Sequence, residues 1–94
     1  MVTPLVIKWS SRFKKDYRKM RRQGKNMAKL DAAIVKIASR ELLPDYMRDH
    51  ELSCDWSGHR ECHIAPDWLL IYRIDDSTLV LELTRTGSHS DLFG

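Results

Sequence analysis

The chain has 94 residues, of which 43% are hydrophobic and 31% charged, and its formal net charge at pH 7 is +3. This length allows one domain with one modest core, which we expect to span residues 1–94. No apolar run is long enough to span a bilayer, and residues 1–4 do not begin a charged and then apolar signal peptide, so we expect a soluble cytoplasmic protein that does not contact membranes.

The first predicted elements are a strand and a helix. Residues 5–9 are a short strand-prone run, and Ser10 or Ser11 is a good N-cap for the helix that follows. Gly24 ends this helix, because glycine readily takes the left-handed conformation at a helix C-terminus. The apolar residues of the helix recur at helical spacing: Phe13, Tyr17 and Met20.

A second helix is predicted from about Asn26 to the region of Pro44, because the residue before a proline is pushed out of the helical conformation. Its apolar face consists of Met27, Leu30, Ile34 and Ile37. The two helices therefore form a hairpin that is expected to pack on a sheet.

The positive charge of the chain is concentrated in this N-terminal part. Twelve of the sixteen Lys and Arg residues precede residue 41, where the only acids are Asp16 and Asp31. Such a field attracts a polyanion, and Lys or Arg contacts to phosphate are its usual use. The alternative is a solvated helix surface that merely keeps the protein soluble.

The middle of the chain predicts a loop and a central strand. Residues 45–58 have no clear period and indicate an ordered loop, with a short strand near residues 52–56. Residues 68–74 are almost wholly apolar, which indicates a strand buried on both faces, with Trp68 in the core.

Another strand, near residues 59–64, precedes the central one and joins it through a turn at Ala65, Pro66 and Asp67. Successive side chains of a strand point to opposite faces. This alternation places Cys62 and Ile64 on the core face of the strand. Glu61 and His63 then lie on the other face.

The C-terminal part predicts a turn at residues 75–77, a strand at 78–84 and a polar tail that Leu92 and Phe93 dock on the body. The order of all these elements predicts an α+β fold with helices on one face of a mostly antiparallel sheet.

Three histidines from separate segments, His50, His63 and His89, lie beside other polar residues. With Asp67 and Arg85 they would form a site for acid–base chemistry on a phosphodiester, because histidine exchanges protons near neutral pH and a guanidinium binds phosphate oxygens. In RNA the ribose 2′-hydroxyl can itself attack the adjacent phosphate, so no metal ion is needed. For each histidine taken alone, a surface or structural role is the alternative.

A zinc site must be weighed, because Cys54, His59, Cys62 and His63 are close in sequence. On a strand, however, Cys62 and His63 point to opposite faces and cannot both bind one ion. We therefore expect no metal or other cofactor, and two reduced cysteines in or near the core.

Two blocks in the C-terminal half carry a specific pattern. The first contains Arg48-Asp49-His50, then Trp56-x-Gly58-x-Arg60-x-x-His63 and Pro66-Asp67-Trp68-x-Leu70-Ile71-Tyr72, and the second is Arg85-Thr86-Gly87-Ser88-His89-x-x-Leu92-Phe93-Gly94. With this pattern the chain resembles the YafQ branch of the RelE/ParE toxin superfamily over nearly its whole length.

The resemblance implies a RelE-like fold, in which a helical hairpin packs on a curved, mostly antiparallel sheet whose open face holds the catalytic residues. It also implies a bacterial type II toxin, a ribosome-dependent endoribonuclease that cuts messenger RNA in the ribosomal A site. The implied partners are the ribosome, messenger RNA and a small antitoxin, often with a ribbon-helix-helix half, that blocks the site in a hetero-oligomer.

The resemblance implies the catalytic residues position by position. The implied catalytic residues are His50, His63, Asp67, Arg85 and His89. His89 is the leading candidate for the general acid, and Arg85 would stabilise the charge on phosphorus. The residues expected to bind substrate are Phe93, which would stack on a base, and the cations Arg60, Lys14, Lys15 and Arg18.

Two other functions are compatible with such a fold. A non-catalytic inhibitor of DNA gyrase, as in the ParE branch, is not expected to keep all three of these histidines. A plain nucleic-acid-binding module would bind RNA or DNA through the basic helices without cutting it.

Overall fold

The structure, a computed structural model, describes residues 3–94. Met1 and Val2, the first two of the residues 1–4 that are not expected to begin a signal peptide, lie outside this range. The helices and strands within it are β1 (Val6–Trp9), α1 (Ser11–Arg22), α2 (Met27–Ala38), β2 (His50–Glu51), β3 (Arg60–Ala65), β4 (Trp68–Asp75), β5 (Val80–Gly87) and α3 (His89–Phe93). Short 3₁₀ helices, Asp45–Met47 and Cys54–Trp56, precede and follow β2. Among these described elements, no helix has the length and apolar character needed to cross a membrane.

The predicted N-terminal strand and helical hairpin are confirmed. Ser10 caps α1: its hydroxyl accepts a hydrogen bond from the N–H of Phe13 at 2.9 Å and donates one to the carbonyl of Thr84 at 2.8 Å. Asn26 caps α2 with its side chain. Gly24, with a φ of +77°, provides the left-handed residue between the helices. The cap at Ser10 also fixes the start of α1 against β5.

The strands form one sheet in the order β1-β5-β4-β3-β2. β1 pairs with β5 in parallel, and the other neighbouring strands pair antiparallel. β4 lies in the centre and is buried from Trp68 to Tyr72, which confirms the predicted central strand and the core position of Trp68. The expected α+β fold with a mostly antiparallel sheet is therefore confirmed.

The main core lies between α1, α2 and one face of the sheet. Its members include Phe13, Met20, Leu30, Ile34, Ile37, Cys62, Ile64, Leu70, Tyr72, Leu81 and Leu83. Cys62 and Ile64 belong to this core, whereas Glu61 and His63 lie on the opposite face of β3, as the alternation of the strand predicts.

A smaller apolar cluster lies on that opposite face. Leu69 and Ile71 of β4 and Leu92 of α3 form it, and Leu52 and Trp56 pack against it. The prediction that helices cover only one face is therefore wrong for α3. Leu92 docks the chain end as predicted, whereas Phe93, which was also expected to dock, is 47% exposed.

The C-terminal residues are more ordered than a polar tail. β5 runs from Val80 to Gly87 rather than over 78–84, because the carboxylate of Asp75 accepts the N–H groups of Ser77 and Thr78 and delays the start of the strand. The end of β5 continues to pair with β4. Ser88 then caps α3 through a capping box, which turns the predicted tail into a helix.

Two further boundaries differ from the prediction. The strand expected near residues 52–56 is instead a 3₁₀ helix, because Cys54 has a φ of +57°, which a strand does not allow, and the short strand is β2. α2 ends at Ala38 rather than near Pro44, because Arg40 takes a left-handed φ of +59°.

Candidate active site

Three elements and one turn bring ionisable side chains to the sheet face opposite α1 and α2. His50 of β2 pairs with Glu61 of β3 in the antiparallel ladder, and paired residues project their side chains to the same face. His63 follows on that face of β3, Asp67 lies in the turn before β4, and His89 begins α3. The sheet therefore gathers all three predicted histidines and Asp67.

Glu61 lies between two of these histidines. Its carboxylate oxygen is 3.6 Å from Nε2 of His63 and 3.8 Å from Nε2 of His50. The Glu61 side chain is only 7% exposed. A carboxylate in such a place is well suited to orient both imidazole rings and to stabilise positive charge that develops on either during proton transfer.

A backbone carbonyl group determines which ring nitrogen of His50 carries a proton. Nδ1 of His50 lies 2.6 Å from the carbonyl oxygen of Arg48. A carbonyl can only accept, so Nδ1 donates there and Nε2 faces Glu61.

Asp67 holds His89 in the same tautomer. One carboxylate oxygen of Asp67 accepts the backbone N–H of His89 at 3.0 Å and lies 2.8 Å from Nδ1 of the ring. The backbone hydrogen bond, followed by the one to the ring, lowers the pKa of Asp67, which is therefore a carboxylate at neutral pH. Because Nδ1 donates to it, Nε2 of His89 is left for chemistry.

His63 and His89 form the centre of the site. Their ring centroids are 5.7 Å apart at an interplanar angle of 62°. Glu61, His63 and His89 each offer an atom that lies within 4.8 Å of the other two. The nitrogens of His63 and His89 are close enough to contact one phosphate group. Together with the oxygen of Glu61 they are also close enough to hold a metal ion, which would occupy the same nitrogen lone pairs.

The zinc site considered from the sequence does not assemble, because Cys62 and His63 lie on opposite faces of β3. Burial raises the pKa of the Cys62 thiol to about 12, so it is neither a thiolate ligand nor a nucleophile at neutral pH. Both cysteines are free thiols, as expected, but only Cys62 is in the core, since Cys54 is exposed.

Arg85 has a partner that the sequence did not predict. It lies opposite Ile71 in the ladder, and Ile71 in turn lies opposite Glu61, so the register puts Arg85 in the row that crosses the site. Its guanidinium, however, donates from Nε and Nη2 to the two oxygens of Asp16, each at 3.0 Å. A phosphate would be contacted by its other N–H groups.

The predicted substrate-binding residues are scattered. Phe93 is 47% exposed on α3, the helix that begins with His89, and its ring centroid lies 6.3 Å from that of Trp56. Arg60 lies opposite the core residue Tyr72, on the face away from His63, and its guanidinium is 3.0 Å from Asp49 and 3.5 Å from Glu51. The structure therefore does not bring Arg60 to the histidines.

Lys14, Lys15 and Arg18 are exposed on α1. Lys19, which follows them, forms an ion pair with Asp91 of α3 at 3.1 Å. This contact connects α1 to α3, the helix that begins with His89.

Two acids in the site were missed from the sequence. Glu61 could have been found, because strand alternation places it on the face of His63. Asp16 also carried a signal, since it stands between Phe13 and Met20 at helical spacing, on the buried side of a helix otherwise rich in cations.

Comparison with known proteins identifies the family. The profile of the family described as "Bacterial toxin of type II toxin-antitoxin system, YafQ" matches residues 5–94. The chain is 39% identical over 89 residues to the mRNA interferase toxin YafQ of Escherichia coli strain B / BL21-DE3, an alignment that covers 94% of this chain and 95% of that protein.

Solved structures give the same result. The crystal structure of YafQ from E. coli BL21(DE3) superposes with a TM-score of 0.90 at 36% identity, over 96% of this chain and 99% of that one. YafQ in the E. coli DinJ-YafQ toxin-antitoxin complex gives 0.88 at 35% identity, over 97% and 99%. The expected RelE-like fold is confirmed, and the chain belongs to the YafQ family of bacterial toxins of type II toxin–antitoxin systems.

Proposed function

We propose that this protein is an endoribonuclease that cleaves messenger RNA on the ribosome, as the toxin of a type II toxin–antitoxin pair acting in the cytoplasm. The observation that carries the proposal is the convergence of His50, His63 and His89 around the buried carboxylate of Glu61. The E. coli relative that is 39% identical is named an mRNA interferase, which supports the same class of substrate.

The reaction uses the nucleophile that RNA carries. The 2′-oxygen attacks the adjacent phosphorus while its proton passes to a base, the bond from phosphorus to the 5′-oxygen breaks, and an acid protonates that oxygen. The products are a 2′,3′-cyclic phosphate and a 5′-hydroxyl. Atoms and charge balance without a metal ion or another reactant.

The geometry supports a division of roles. As the general acid, the protonated ring of His89 donates from Nε2 to the leaving oxygen, while its Nδ1–H stays hydrogen-bonded to Asp67. His63 takes the proton of the 2′-hydroxyl, with the carboxylate of Glu61 3.6 Å from its Nε2. Arg85 stabilises the charge on phosphorus with the N–H groups that Asp16 does not engage, and Phe93 stacks on a base.

An antitoxin is the expected partner. A YafQ relative is known in a DinJ-YafQ toxin-antitoxin complex, and we infer that this chain also forms a hetero-oligomer with a small antitoxin, of ribbon-helix-helix type. The exposed cations of α1 favour an acidic segment of that partner, and they favour ribosomal RNA when the antitoxin is absent.

The direct test is cleavage of a reporter transcript in a purified translation system. We expect discrete cuts within the reading frame, mapped by primer extension, whose upstream fragments end in a 2′,3′-cyclic phosphate. Transcript without ribosomes should stay intact. Growth arrest with uncut transcripts would reject the nuclease, and inhibition of gyrase supercoiling by the protein would then favour the ParE-like alternative.

Glu61→Gln should lower the cleavage rate by roughly 10- to 100-fold, as the loss of a carboxylate that orients a metal-bound histidine does. The substitution keeps the shape of the side chain but removes the charge beside His50 and His63. Glu51→Gln is the matched control, because its side chain is 84% exposed on the neighbouring strand. Equal rates for the two variants would show that Glu61 has no part in the reaction.

A further inference from the structure

A groove of about 540 Å³ opens beside His63. Its walls come from α2, from the segment before β2, and from β3 with the turn that follows: Lys29, Tyr46, Arg48, His63, Ile64, Ala65 and Pro66. Because His63 also lines the groove, the groove borders the candidate active site at this residue.

Tyr46 separates this groove from a second one of about 300 Å³ that extends along α2 to Lys36. The Tyr46 side chain borders both grooves and is 78% exposed, which is unusual for so large a ring. The next residue, Met47, is buried in the main core and anchors the 3₁₀ helix. The ring is therefore presented to solvent on a well-packed support.

The charges around both grooves have one sign. Lys29, Lys36 and Arg48 line them, and no acidic residue does so. Among residues 3–94 none of these three cations is part of an ion pair. Lys29 and Lys36 stand on one side of α2, about 10 Å apart along its axis. The grooves thus combine a cationic track with an exposed aromatic face.

We propose that these two grooves bind the single-stranded RNA that adjoins the cleaved linkage, with Tyr46 stacked on an unpaired base and Lys29, Lys36 and Arg48 in contact with phosphates. Aromatic rings interleaved with cations bind single strands in this way, because every base has a face to stack. The inference rests on the proposed function, since that places the cleaved phosphate at His63. It adds a substrate path along α2 as far as Lys36.

Single-turnover cleavage on ribosomes programmed with one transcript tests this path. Tyr46→Ala should raise the half-saturating toxin concentration by about 5- to 150-fold, as for alanine substitution of a stacking ring, and change the maximal rate by less than about threefold. Tyr46→Phe keeps the ring and should match the wild type. Lys29→Gln with Lys36→Gln should raise the same concentration, whereas Lys8→Gln, on the opposite edge strand, should not.

Unchanged half-saturation for Tyr46→Ala, or equal defects for Tyr46→Phe and Tyr46→Ala, would overturn the proposal. So would a Tyr46→Ala variant that cleaves normally but binds antitoxin more weakly, because the grooves would then belong to the antitoxin. If the wild type cuts nothing, the nuclease proposal fails, and a second measurement tests the grooves by themselves. It follows the fluorescence of a 2′-O-methyl oligonucleotide that carries 2-aminopurine. Quenching of this fluorescence by the wild type but not by Tyr46→Ala would support RNA binding in the grooves even without cleavage. Equal quenching by the two proteins would overturn the groove proposal.

Discussion

His89→Ala is expected to lower the rate of messenger RNA cleavage by about 10²- to 10⁴-fold, the usual contribution of a positioned general acid. The substitution removes the ring that lies 5.7 Å from His63 and that Asp67 holds in one tautomer. His89 lies on an exposed helix start, so the fold should not depend on its ring. Primer extension in the translation system measures the rate, and circular dichroism checks the fold.

His59→Ala is the matched control for this prediction. His59 is the histidine outside the cluster, where its ring lies against Trp56 with centroids 5.5 Å apart. It should keep a cleavage rate close to that of the wild type. Cleavage by the folded His89→Ala variant at the same rate as His59→Ala would remove His89 from the mechanism.

Asp16→Ala is expected to lower the free energy of unfolding by about 3–5 kcal/mol, the usual cost of breaking a buried ion pair. Asp16 accepts both donors of Arg85 and the backbone N–H of Thr86, at 3.0, 3.0 and 3.2 Å. The side chains of Asp16 and Arg85 are 12% and 16% exposed, so little water replaces the lost partner. In a domain of this size the melting temperature should fall by at least about 12 °C.

Urea and thermal denaturation followed by circular dichroism measure this loss. Asp31→Ala is the control, because Asp31 is an exposed acid that accepts one hydrogen bond from Tyr17, and it should cost less than about 1 kcal/mol. Asp16→Ala combined with Arg85→Ala should recover part of the stability, since no unpaired buried guanidinium is left. Equal losses for Asp16→Ala and Asp31→Ala would refute the buried ion pair.

Local sequence patterns determined most of the architecture. The ends of the helices were predicted from the N-caps Ser10 and Asn26 and from the left-handed residue Gly24. Capping and left-handed backbone depend only on nearby residues. The apolar run after Asp67 predicted the central strand. The alternation in β3 predicted which face His63 occupies, because a strand allows only two directions for a side chain.

Predictions were weaker where backbone conformation depends on tertiary contacts. Nothing local marks the extension of β5 to Gly87, which follows from its pairing with Leu69 of β4. The helix α3 forms because Leu92 finds an apolar cluster on the second face of the sheet. Such choices are made by packing between distant segments, which overrides local propensity.

The sequence by itself determined the fold class, the family pattern and the residue types available for acid–base chemistry. Only the tertiary structure decided how these residues pair. Asp16 accepts hydrogen bonds from Arg85, which lies 69 residues further along the chain, and Glu61 lies between His50 and His63. The reason is physical. Propensity and periodicity act over a few residues, whereas the distance between two charges depends on strand register and helix packing, which the whole chain sets together.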